Sequence, residues 1–271
     1  RVIDWISPFF GMDGGHMTPG STISNLTALW AARDLKHVKM VIASEAAHLS
    51  IAKASHLLGL KFVSIKTDNL GRLDPARLPS DLSDAVLVLT AGTTNEGAID
   101  DLTLFEKASW THVDAAWAGP LRLSQKIASS FDGIEKADSI SVSAHKWFFQ
   151  PKEAGMILFR ETKNANSALS FGGAYISVPN VGLLGSHGAI AIPLLATLLS
   201  WGRSGIAQRV ERAMLSADTL WQRLNDHPKV NLFSPQTSGV VLWRLVNEEK
   251  FGLIYEHLPE GSTSQTRIDG I

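Results

Sequence analysis

Ala85, Val86, Leu87, Val88 and Leu89 form an unbroken apolar run. Side chains alternate faces along a strand, so such a run demands cover on both sides. It is too short for a helix of ordinary length. Four further short stretches read as strands: residues 39–43, 61–66, 112–115 and 139–143. Helical stretches intervene. Residues 22–33 carry Leu26, Leu29 and Trp30 at helical spacing after a Thr18-Pro19-Gly20-Ser21 turn, with Ser21 or Thr22 available as the cap. Residues 46–58 read as a second helix. Strands alternating with helices predict an α/β layer structure around a mostly parallel sheet. Residues 156–160 are expected to pair antiparallel at an edge.

Past Gly188 the character changes. Residues 189–225 are long and helical, broken near Gly202 and Gly205. Residues 230–233 and 240–245 read as strands, and residues 248–257 as a helix. The expected division is a large α/β domain over residues 1–200 and part of a smaller α+β domain over residues 201–271. The chain begins at Arg1 in what reads as mid-helix and stops at Ile271 in an unfinished pattern, so it is expected to be the middle of a longer protein. No basic-then-apolar leader is present. The longest apolar stretch, residues 189–201, is interrupted by Pro193 and is too short for a membrane span.

Charge narrows the partners. The 25 basic and 26 acidic residues leave a net charge of −1, with no field to attract nucleic acid or anionic lipid. The absence of cysteine excludes disulfides, thiolate metal sites and a cysteine nucleophile, and is compatible with a reducing cytosol. A cytoplasmic protein with a small-molecule substrate is expected.

In parallel α/β sheets, ligands sit beyond the carboxyl ends of the strands. Chemically capable residues collect there. The turn Pro19-Gly20-Ser21-Thr22 opens a helix, whose first N–H groups and dipole favour an anion; an ordinary N-cap explains the same residues. Asp114 closes a predicted strand among small residues, suited to a cationic ring nitrogen or to capping the next loop. His112 shares its sheet face by alternation, and no third ligand nearby completes a metal site. Lys146 follows a buried strand, where desolvation makes an amine nucleophilic, although a snorkelling lysine fits as well. His48 is either structural or able to stack on a planar ligand. One explanation covers all four. An anion-binding turn, an Asp, a stacking His and a Schiff-base Lys are what pyridoxal phosphate needs.

The chain resembles the group II pyridoxal-phosphate-dependent amino acid decarboxylases, the family of the glutamate, aromatic amino acid and diaminobutyrate enzymes. The resemblance is carried by five stretches in family order: Thr18 through Leu29, Ser44-Glu45-Ala46-Ala47-His48-Leu49-Ser50, Thr90 through Ala98, His112-Val113-Asp114-Ala115-Ala116-Trp117 and His145-Lys146-Trp147. It implies a type I pyridoxal phosphate fold, like that of aspartate aminotransferase. It implies decarboxylation of an L-amino acid to the amine through a Lys146 Schiff base and a quinonoid intermediate. By the same resemblance, Asp114 pairs with the pyridinium nitrogen, His48 stacks on one ring face and Ala116 packs on the other. Ser21 and Thr22 hold the phosphate, and Thr93 lies near the ring substituents or the leaving carboxylate. His145 contacts the phosphate or assists proton transfer. The family also implies a homodimer with the active site at the subunit interface.

The sequence departs from the family in places. Ser143-Ala144 stands where the family usually has Asn-Pro or Asp-Pro before His-Lys, so Ser143 is the candidate to bind the phosphate from that position. Residues 171–188 are short, and their one tyrosine, Tyr175, lacks the look of the loop tyrosine that many members use as an acid. His187 stands where an arginine is common. These departures leave open a pyridoxal-phosphate-dependent lyase or oxidative deaminase, or a non-catalytic homologue acting as a binding partner.

Overall fold

The computed structural model describes residues 1–174, 180–186 and 188–266. Tyr175 and His187 lie outside the described residues. A first helix, α1 (Val2–Ile6), leads into β1 (Gly14–Thr18). Helix α2 (Ser21–Lys36), β2 (Met40–Ser44), α3 (Leu49–Leu57) and β3 (Lys61–Ile65) follow. Three more strands run through the middle: β4 (Ala85–Thr90), β5 (Trp110–Asp114) and β6 (Ser139–Ser143). Strand β7 (Gly155–Phe159) and helix α4 (Thr162–Leu169) complete the sheet unit.

These strands form one seven-stranded sheet in the order β1-β7-β6-β5-β4-β2-β3. Strands β2 to β6 pair in parallel, while β7 runs antiparallel to both β6 and β1. All six residues of β4 are buried, as its apolar run demands. Val86 and Val88 join the core beneath α2 with Ala28, Leu29 and Ala32. Leu87 and Leu89 face the other way, into a core with Val113, Val142 and Leu198. Two apolar layers on opposite faces thus follow from period-2 alternation along one strand.

Two expectations are corrected. Strand β7 is antiparallel but not at the edge, because β1 covers its outer side. The cause lies in Gly15: a Cβ there would meet the Ile157 carbonyl oxygen at 1.9 Å. Only glycine lets the two backbones approach, yet glycine is a poor strand former and hides the strand. Helix α3 starts at Leu49, not at residue 46, because Ser44 to His48 form a turn that His48 caps.

The C-terminal part carries two short pairs and a long helix. Strands β8 (Ser170–Phe171) and β9 (Asn180–Val181) pair antiparallel. Helix α5 (Ala191–Asn225) bends where Gly202 takes φ 58° and ψ −172°. Strands β10 (Val230–Leu232) and β11 (Trp243–Leu245) pair antiparallel, and a short helix α6 (Phe251–Tyr255) follows. Both strands and the last helix are shorter than expected. No helix among the described residues is long and apolar enough to cross a membrane.

Asp100 ties the loop after β4 to the loop after β3. Its carboxylate accepts from the Leu73 and Thr90 N–H groups, each at 2.7 Å. Burial nevertheless pushes its pKa up to about 6. An acid whose folded pKa lies above its unfolded value stabilises the fold most when protonated, and loses that contribution as pH rises through about 6. Wild type should therefore gain about 2 kcal/mol over Asp100→Asn on moving from pH 7 to pH 4, the full contribution being reached only below the unfolded pKa. Urea unfolding of the pair at both pH values measures it; a pH-independent difference would refute the assignment.

Candidate active site

The strand order reverses direction around β2, since β3 lies on one side and β4 on the other. The crevice at such a switch point, beyond the strand C-termini, is where open α/β sheets bind ligands. A cavity of about 180 Å³ lies there. Its wall includes Ser21 and Thr22 from α2, His48 before α3, Asp114 and Ala116 at the end of β5, and Ser143, His145 and Lys146 at the end of β6. A larger cavity of about 460 Å³ lies elsewhere, around Arg72 and Asp100, without a lysine or histidine on its wall.

The corner expected to bind an anion is built by glycines. The N-cap of α2 is Gly20, with φ 123° and no side-chain cap bond. Ser21 and Thr22 are therefore inside the helix, and the expected hydroxyl cap is absent. Their hydroxyls are left for other work, beside N–H groups that have no intrahelical acceptor. Ser21 Oγ lies 2.7 Å from Ser143 Oγ, joining the helix to the end of β6. Behind them, a Cβ on Gly155 would meet Gly20 backbone carbon atoms at 2.9 Å and the Ser21 nitrogen at 3.0 Å. Gly155→Ala should destabilise by about 1–3 kcal/mol through overpacking and weaken anion binding at this corner. Thermal unfolding and phosphate competition check both effects; an unchanged Tm would show that the turn has room to move.

Asp114 sits at the floor, 4% exposed. Its Oδ2 accepts from Asn25 Nδ2 at 2.9 Å. Its Oδ1 accepts from the Ala116 N–H at 3.1 Å and from Ser141 Oγ at 3.2 Å. Donors on this scale hold a buried carboxylate in place and leave it as an acceptor. Asn25 continues to His112, whose Nε2 lies 3.0 Å from Asn25 Oδ1 and whose Nδ1 lies 2.9 Å from Ser139 Oγ. Burial pushes the His112 pKa down to about 4, against the pull of the Asp114 charge.

Lys146 lies in the turn after β6 and is partly exposed. Burial lowers its pKa, while Asp114 works in the opposite direction. Its Nζ stands 5.8 Å from the Trp117 ring centroid. His145 Nδ1 is 3.1 Å from the Ala154 carbonyl oxygen. A carbonyl only accepts, so Nδ1 carries the proton and the neutral ring keeps Nε2 as an acceptor. His48 is exposed, and its Nδ1 accepts from the Ser50 N–H at 3.2 Å. It is thus a helix cap as well as part of the cavity wall.

Thr93 is the one site candidate that is off the wall. It is buried, and its hydroxyl accepts from the Ala98 N–H at 3.0 Å within its own loop. Thr94 and Thr90 line the cavity instead. Thr90 Oγ1 is buried and finds no hydrogen-bond partner among the described residues. Sequence reasoning also passes over Asn25 as a site residue, although it lies one helical turn after Ser21 and Thr22 on the same face. Among the described residues, no group of three or more His, Asp or Glu side chains is arranged to hold a metal ion.

Comparison with known proteins gives a consistent result. The pyridoxal-dependent decarboxylase conserved domain matches residues 1–246. An aromatic-L-amino-acid decarboxylase of Bacillus atrophaeus is 27% identical over 92% of this chain and 59% of its own length. An aspartate 1-decarboxylase of Aliivibrio fischeri is 30% identical over 90% of this chain and 55% of its own length. Among solved structures, mouse CSAD in its apo form superposes with a TM-score of 0.82 at 23% identity, covering 90% of this chain and 60% of that one. Oryza sativa TDC with PLP and tryptamine gives 0.78 at 22% identity, with the same coverage of both chains. At these identities the two structures speak for the fold. The chain spans little more than half the length of the curated relatives it matches.

Proposed function

This chain belongs to the pyridoxal-dependent decarboxylase family, and we propose that it forms the cofactor-binding part of an enzyme that decarboxylates an L-amino acid with pyridoxal phosphate. The observation that carries the reading is the meeting of Ser21, Asp114, Ser143 and Lys146 around one cavity, from two strand ends and a helix start. The residues fit the cofactor. The α2 N-terminus with Ser21, Thr22 and Ser143 matches a phosphate, and the buried Asp114 carboxylate matches a protonated ring nitrogen. The unpartnered Thr90 hydroxyl is a polar group on this wall awaiting a ligand.

Bound pyridoxal phosphate supplies an aldehyde and an electron-withdrawing ring that takes up the electron pair when a bond at the substrate α-carbon breaks. The chain supplies the rest. Lys146 offers an amine whose lowered pKa increases its unprotonated fraction. Asp114 holds a proton on the ring nitrogen. His48 and Ala116, both on the cavity wall, would pack against the ring. His145 Nε2 accepts a proton or a phosphate hydrogen bond, with Nδ1 fixed on Ala154. Thr93 supports the loop that carries Thr94, and takes the assigned place near the ring substituents only if that loop shifts.

The reading extends to organisation. We place the boundary at the Gly202 kink, with residues 1–200 as the cofactor domain and residues 201–271 as part of a second. We further propose a homodimer in which a second copy covers exposed Leu49 beside His48. The cysteine-free composition supports a cytoplasmic setting. Adding pyridoxal phosphate to the full-length protein should produce a visible absorbance band, and screening amino acids should release carbon dioxide and amine. Aldehyde or ketone with ammonia would instead identify a deaminase, and no band with a folded protein would remove the reading.

A further inference from the structure

We infer that the buried His112, acting through Asn25, is the positioning residue that fixes both the Asp114 carboxylate and the His48 imidazole. The inference rests on the pyridoxal phosphate reading above for its consequence, but its geometry stands without it. His112 is fully buried and does not line the cavity. It reaches the site through a chain of hydrogen bonds with one consistent direction.

The direction is set from both ends, since the Asp114 carboxylate can only accept and so turns the Asn25 NH₂ toward itself. Trp110 Nε1 donates to Ser139 Oγ at 2.9 Å, and an indole N–H can only donate. The Ser139 hydroxyl proton is then free to point at His112 Nδ1, 2.9 Å away. With Nδ1 accepting, the neutral ring carries its proton on Nε2, which donates to Asn25 Oδ1 at 3.0 Å. That bond and the carboxylate together decide how the Asn25 amide is turned. Its nitrogen must face the other way, where it donates to Asp114 Oδ2 at 2.9 Å and to Ser50 Oγ at 2.8 Å. Ser50, having accepted, donates to His48 Nδ1 at 2.8 Å.

A flipped amide would set Asn25 Oδ1 against the Asp114 carboxylate and its NH₂ against the His112 N–H. Both contacts would be mismatched in a buried setting, where unpaired polar groups are most costly. One neutral imidazole therefore holds a donor on the carboxylate that faces the ring nitrogen. The same chain ends on His48 Nδ1, which accepts from the Ser50 hydroxyl as well as from the Ser50 N–H. The two functional groups come from β5 and from the loop before α3, and Asn25 joins them, directly at Asp114 and through Ser50 at His48.

The test uses the full-length protein loaded with pyridoxal phosphate, and its first reading is whether wild type gives the visible band at all; failure there sinks the functional reading, not this one. His112→Phe should weaken cofactor binding by about 10- to 100-fold and shift the pH midpoint of the band. His112→Gln, whose amide N–H can donate to Asn25 Oδ1, should recover most of that loss. Equal losses in both variants, or a Phe variant indistinguishable from wild type in affinity and midpoint, would overturn the inference. Should the Phe variant fail to fold, imidazole ¹⁵N spectra of the wild-type protein decide. They should show His112 neutral and protonated on Nε2 at neutral pH, and a proton on Nδ1 would overturn the assignment.

Discussion

Replacing Lys146 by alanine should lower turnover by at least about 10³-fold and remove the visible band that forms when pyridoxal phosphate is added to wild type. The lysine stands where the proposed covalent role fits. It follows β6, whose five residues are all buried, and it sits beside Trp117 on the cavity wall. Burial lowers its pKa, and the nearby Asp114 charge counters only in part. Its turn is anchored by backbone bonds that do not involve its side chain: Ala144 N donates to Ala154 O at 2.8 Å, and Phe149 N to Lys146 O at 3.0 Å. The substitution should therefore leave folding nearly unchanged, within the about 0.5 kcal/mol usual for such positions. Lys146→Arg is the informative companion. It keeps the charge but cannot present a neutral amine, so it should lose the band as completely as alanine. A band that persists in either variant would move the covalent attachment to another residue.

How far the sequence reveals this fold depends on what each strand is made of. Strands β4 and β6 are legible because their runs are apolar or small and short, and β6 matches the expected bounds residue for residue. Strand β1 is invisible because two of its five residues are glycine, needed for a backbone approach that no local pattern encodes. The start of α3 is misread for a similar reason. Ala46 and Ala47 favour a helix, but the turn after β2 and the His48 cap override them.

The site divides the same way. Asp114 and Lys146 are legible as cavity residues because each stands at or just after the end of a buried strand, at the carboxyl edge of the sheet. Ser21 and Thr22 are legible as a helix start, but the cap falls on Gly20, which no side-chain rule names. The network from Trp110 through His112 to Asn25 is not legible. It joins α2, β5 and β6 across 87 residues of sequence between Asn25 and His112, and only the assembled sheet brings them together. Alternation alone does put His112 and Asp114 on one face, and that is the one local signal of the network.

Asp114→Asn should reduce cofactor affinity by about 100-fold or more, the scale expected when one member of a buried charge pair is removed. The side chain keeps its shape, so the change is one of charge and hydrogen-bonding capacity. Asparagine does bring a local cost, because the carboxylate now accepts from Asn25, Ala116 and Ser141, and an amide NH₂ cannot accept. That cost, about 1–3 kcal/mol, falls on the cofactor-free protein and is read by urea unfolding. The effect on the ring nitrogen is read separately, with a cofactor analogue in which carbon replaces that nitrogen. If Asp114 acts by holding a proton there, wild type should bind the natural cofactor far more tightly than the analogue. Asp114→Asn should bind the two almost equally. The interaction term from this cycle belongs to the carboxylate and the ring nitrogen alone, since folding losses cancel between the two ligands. Equal discrimination by wild type and variant would mean that Asp114 shapes the cavity floor without acting on the ring, and the functional reading would lose its electrostatic centre.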